Sequence, residues 1–132
     1  MDQTEGTRLR TSLAPWLTMR DGARAVEFYK AAFGAREGYR LEDPGGGVVV
    51  KLSVESAEFW VSTGSGGEGA ESVGCGTVRM ILTVADPDAM FSRALAAGAV
   101  EVFPVGEAYG WRLGRLADPF GLHWEIGRPL GG

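Results

Sequence analysis

At 132 residues, 45% hydrophobic and 23% charged, the chain has the size and composition of one soluble globular domain, spanning 1–132, with enough apolar side chains to bury a core. A net charge of −4 argues against a nucleic-acid partner, whose phosphates call for a basic face. No apolar run approaches membrane-spanning length, and a single cysteine, Cys75, permits neither an internal disulfide nor a zinc knuckle.

The opening MDQTEGTRLR is polar and lacks the apolar stretch of a signal peptide, so a cytoplasmic location is expected. A short strand follows, with Leu17 and Met19 on one face and Ala14, Trp16 and Thr18 on the other. Asp21 is placed to cap a helix whose apolar stripe is Ala25, Val26, Tyr29, Ala32 and Phe33, and Gly34 ends it. Three strand-like runs come next: EGYRLED, GVVVKLSV and AEFWVST. In the last of these, Ala57, Phe59 and Val61 are expected against the helix, with Glu58 and Trp60 pointing away. Residues 64–76 are rich in glycine and small polar residues and read as a linker.

The second half repeats the first. LTMRDGARAVEFYKAAFGA from Leu17 falls on LTVADPDAMFSRALAAGA from Leu82, an offset of 65 residues. Met80, Leu82 and Val84 are expected in the core, which leaves Arg79, Ile81 and Thr83 on the other face. Asp86 caps, Pro87 sits where a missing N–H is harmless, Met90, Phe91, Ala94, Leu95 and Ala97 form the stripe, and Gly98 terminates. EVFPV, WRLGRLA and LHWEIG supply three more strands. The same offset sets Trp60 on Glu125. Alternation in the final strand buries Leu122, Trp124 and Ile126 and turns His123 and Glu125 to the opposite face. The chain is therefore read as α+β, two β-α-β-β-β modules over 13–63 and 77–128, neither able to bury both helix and sheet alone.

The doubled pattern, with AVEFYKAAFGA in the first helix, RALAAGA in the second and YGWRLGRLADPFGLHWEI at the end, resembles the vicinal oxygen chelate superfamily. Within it the similarity is to glyoxalase/bleomycin-resistance proteins of the PhnB-like branch, over roughly residues 13 to 128. The resemblance implies a curved mixed sheet forming a cup, the ligand inside and the helices outside, assembled as a homodimer. It also implies metal-ligand positions at Ala14, Trp60, Arg79 and Glu125, with a further histidine position in the branch matched here by Val49. Only Glu125 among these could coordinate a cation, whereas a catalytic site needs about three protein ligands. His123, about 6.6 Å from Glu125 along the strand, is expected as a wall or rim residue. No metal or other cofactor is expected.

Tryptophan at former ligand positions changes the chemistry on offer. Trp16 and Trp60, with Trp111 at the rim and Tyr109, could sandwich a flat aromatic or heterocyclic ligand, each ring pair adding about 0.5–1.5 kcal/mol beyond burial. The expected function is metal-independent binding or sequestration of such a small molecule, as in bleomycin resistance, the antibiotic-resistance mode that the resemblance implies. Lys51, Arg79 and Arg112 are all placed to approach Glu125. If one arginine stays free the pocket would favour a carboxylate or phosphonate; if Glu125 stays free, an amine. The alternative is a glyoxalase-like lyase, isomerase or dioxygenase in which Glu125 serves as base or metal ligand, an arginine stabilising developing negative charge.

Overall fold

The computed structural model describes residues 11–64 and 78–131; Cys75, and the linker read over 64–76 apart from Gly64, lie outside the described residues. In chain order the elements are β1 (Trp16–Met19), α1 (Gly22–Phe33), β2 (Arg36–Glu42), β3 (Val48–Val54), β4 (Ala57–Thr63), β5 (Met80–Thr83), α2 (Pro87–Ala97), β6 (Val100–Ala108), β7 (Trp111–Ala117) and β8 (His123–Pro129). None of the described helices is long and apolar enough to cross a membrane.

Both helices begin as their sequences require. The Asp21 carboxylate accepts from the Arg24 N–H and that of Asp86 from the Ala89 N–H, each at 3.1 Å, satisfying donors that the first turn leaves unpaired. Gly34, at φ 71°, closes α1 in the left-handed region, its N–H bonding back to the Lys30 carbonyl.

Each module forms a four-stranded sheet, in the orders β1-β4-β3-β2 and β5-β8-β7-β6. The first-named pair in each is parallel and the others antiparallel. Register carries the repeat into space: Trp16 stands beside Trp60 on β1 and β4, and Ile81 beside Glu125 on β5 and β8.

Alternation sorts the faces. Leu17, Met19, Val48, Val50, Leu52, Phe59 and Val61 are buried under α1, and Leu82, Leu116, Trp124 and Ile126 under α2. Ala57, expected in this core, is instead exposed at the start of β4, where the turn from β3 carries it beyond the helix. The two helix-covered faces share one core. Phe59 of β4 meets Trp124 of β8 edge-on at 5.7 Å between centroids, and Tyr29 and Phe33 of α1 also contact Trp124, at 5.5 and 4.7 Å. A fully buried side chain of this kind contributes about 1.5–3 kcal/mol, so the aromatic cluster helps hold the modules together, beside the packing of α1 on α2. Because the covered faces meet, the opposite faces point away from each other, and none of the described helices covers them.

Candidate functional site

The open face of the first sheet is an aromatic platform. Across β1, β4, β3 and β2 the register aligns Trp16, Trp60, Lys51 and Tyr39 in one row. The Trp16 and Trp60 rings stack at 5.6 Å with 19° between planes, and Tyr39 meets Trp60 edge-on at 5.7 Å. The Trp16 indole N–H donates to Ser62 Oγ at 2.9 Å, which fixes the ring. Lys51 Nζ lies 5.5 Å over the Trp60 ring and pairs with Glu58 at 3.3 Å. Two tryptophans already in contact cannot sandwich a ligand between them, which corrects that expectation. They present one continuous surface instead, and Trp16 is 54% exposed.

The second sheet carries the matching row, Ile81, Glu125, Arg115 and Phe103. Here the chemistry is ionic. Arg79 Nε lies 3.2 Å from Glu125 Oε2, and Arg115 Nη2 lies 3.6 Å from the same oxygen. The Arg115 guanidinium rests over the Phe103 ring at 5.3 Å, and its Nε is buried without a hydrogen-bond partner among the described residues. Ile81 and Phe103 flank the cluster and are both more than half exposed.

Of the residues read from the sequence, Arg79 and Glu125 are brought together and Trp16 joins Trp60. Arg112 is not part of the cluster. It binds Asp88 of α2 through Nε and Nη2, both at 2.7 Å, on the helix side of β7. This pairing holds the Asp88 carboxyl below its ordinary value. Lys51, also expected near Glu125, belongs to the other sheet and pairs with Glu58. Trp111 opens β7 opposite Pro129, four residues from Arg115, or about 13 Å along the strand. His123 opens β8 opposite Ala117, half-buried, two residues before Glu125.

Arg115 escaped the sequence reading, although a signal existed: it lies 64 residues beyond Lys51, so both halves set a basic side chain beside the residue at the Trp60 or Glu125 position. Tyr39 and Phe103, the aromatic ends of the two rows, were missed for the same reason.

A divalent metal does not fit this donor set. Among the described residues no three His, Cys, Asp or Glu side chains converge, and Glu125 is faced by two guanidiniums that repel a cation.

Residues 16–126 match the glyoxalase-like domain, and the chain belongs to this family, within the vicinal oxygen chelate superfamily. An uncharacterized protein of Mycobacterium tuberculosis is 36% identical over 138 residues, a match covering 96% of this chain and 79% of that one. The crystal structure of TioX from Micromonospora sp. ML1 superposes with a TM-score of 0.71 at 28% identity, over 91% of this chain and 100% of that one. The PhnB protein from Bacillus cereus shares the fold, with a TM-score of 0.70 at 17% identity, over 88% of this chain and 98% of that one.

Proposed function

We propose that the protein is a cytoplasmic homodimer that binds or sequesters a small aromatic or heterocyclic molecule without a metal. The observation that carries this reading is the Trp16–Trp60 stack, an indole surface held in place by Ser62 and left open on a sheet face that lacks a helix. Unliganded, such a surface is a standing cost in water; a flat ligand covering it recovers the burial and stacking energy of both rings.

The second copy enters through geometry. The two open faces of one chain point apart, so one ligand can touch both the platform and the ionic cluster only if the first sheet of one copy stands opposite the second sheet of another. Among the described residues β1 and β5 end their sheets with unpaired edges, and Trp16 and Ile81 on them are exposed, features that an interface between copies would cover. The sequestration mode implied by bleomycin-resistance relatives has the same requirements: aromatic walls and no catalytic group. The enzymatic alternative gives Glu125 the role of base or metal ligand, whereas here its carboxylate is engaged by Arg79 and Arg115.

Tryptophan fluorescence, read against a panel of glycopeptide, thiopeptide and quinoid compounds with elemental analysis of the same sample, tests the reading. Saturable quenching by a panel member in metal-free protein is expected, with affinity falling at least about tenfold in Trp60→Ala. Quenching that requires stoichiometric metal, or none by any compound, would overturn it.

A further inference from the structure

The ionic cluster narrows the ligand's chemistry. Glu125 is served from two sides, yet its two partners are not equally committed. Arg79 approaches the shared oxygen to 3.2 Å, close enough to neutralise it, whereas Arg115 stands off at 3.6 Å. Among the described residues the Arg115 Nε–H is buried with no acceptor. A buried donor without a partner is costly, and native structures seldom keep one without a reason. Phe103 beneath the guanidinium holds its plane but offers the Nε–H no acceptor, because a ring face accepts charge but satisfies no N–H in the plane.

Counting charge gives the same direction. Two guanidiniums stand against one carboxylate, so the cluster keeps an excess positive charge in a protein whose net charge is −4. An ammonium ligand would find Glu125 already neutralised and Arg115 repelling it. An acidic group would find an underused planar fork, since a carboxylate accepts two parallel N–H bonds from a guanidinium edge. The contact of Arg115 with Glu125, at 3.6 Å, is the longer of the two, so it is the one an incoming carboxylate would replace.

Building on the pocket reading above, we propose that the ligand is an aromatic acid, its ring on the Trp16–Trp60 platform and its carboxylate on Arg115, with Arg79 retained by Glu125. Arg115 is then the residue that sets charge specificity. Its counterpart in the first module, Lys51, stands one cation against one carboxylate, Glu58 at 3.3 Å, and so offers no excess charge.

Three probes with one ring system separate the possibilities: 2-naphthoate, 2-naphthylmethanol and 2-naphthylmethylammonium, titrated calorimetrically into the full-length protein. The acid is expected to bind roughly tenfold or more tighter than the alcohol, and the amine no better than the alcohol. Arg115→Gln should erase the preference for the acid and leave the alcohol's affinity within about twofold, while Arg115→Lys should retain part of it. A circular dichroism spectrum matching the parent's certifies that the variants fold. Binding of all three probes with no preference for the acid, or a preference that survives Arg115→Gln, overturns this proposal and leaves the pocket reading standing. Failure of every probe to bind contradicts both.

Discussion

Asp118 shows how one buried carboxylate can be fully satisfied and, in being so, tie two modules together. It accepts the Phe120 and Leu122 N–H groups at 2.9 and 3.0 Å, the Trp124 indole N–H at 3.0 Å, and the Tyr29 hydroxyl at 2.5 Å. The first two contacts shape the turn after β7, at a DPFG stretch whose proline and glycine are themselves a turn signal. The last was not legible in the sequence, because Tyr29 lies 89 residues away and nothing local announces it. Burial, reinforced by the negative charge of Asp118, raises the Tyr29 hydroxyl well above its ordinary 10.0. A folded-state value above the unfolded one means that this stabilisation is whole below about pH 10 and is lost as pH climbs through the raised value. Tyr29→Phe is therefore expected to cost about 1.5–3 kcal/mol at pH 7, the worth of a hydrogen bond to a charged group. In urea titrations followed by circular dichroism, the variant should lose less stability than the parent between pH 9 and pH 11. Equal midpoints at pH 7 would show that the Tyr29 hydroxyl adds nothing.

At the scale of elements, periodicity was an adequate guide wherever the backbone is regular. Helix caps, the core stripes and the two faces of β4, β5 and β8 follow from alternation alone, apart from Ala57 at a strand end. The reading went astray on β7, where the glycines Gly110 and Gly114 left the parity open and Arg112 was placed beside Glu125. The β6–β7 hairpin settles that parity. Tyr109 and Gly110, at φ 56° and 80°, form a two-residue loop with both central residues in the left-handed region, and Ala108 then pairs with Trp111. This puts Arg115 on the open face and Arg112 behind it. A tyrosine is an unfavourable choice for such a turn, and its side chain is 98% exposed. Tyr109→Asn should stabilise the fold by about 0.5–1 kcal/mol, since asparagine tolerates the left-handed conformation that tyrosine resists. A midpoint shifted downward in thermal melts would show that the tyrosine's contacts outweigh its strain.

The whole molecule depends on a relation that alternation cannot express. Sequence periodicity tells which residues share a face of one sheet, but not which sheet stands across from it. The internal repeat was plain from the 65-residue offset, and the resemblance to the family rested on it together with the helix and C-terminal motifs; the apposition of the covered faces, and hence the divergence of the open ones, emerged only from the contacts of Phe59, Tyr29 and Trp124. That divergence separates the indole platform from the arginine cluster within a chain and is what gives the proposed second copy its role. Mixed dimers test this directly. Trp60→Ala damages the platform and Arg115→Gln the cluster, so each homodimer should bind 2-naphthoate at least about tenfold more weakly than the parent. A heterodimer of the two variants, purified through distinct tags, holds one site in which both defects coincide and one in which neither is present. It should recover parental affinity at one ligand per dimer. A heterodimer that binds no better than either variant alone would contradict a site shared between copies.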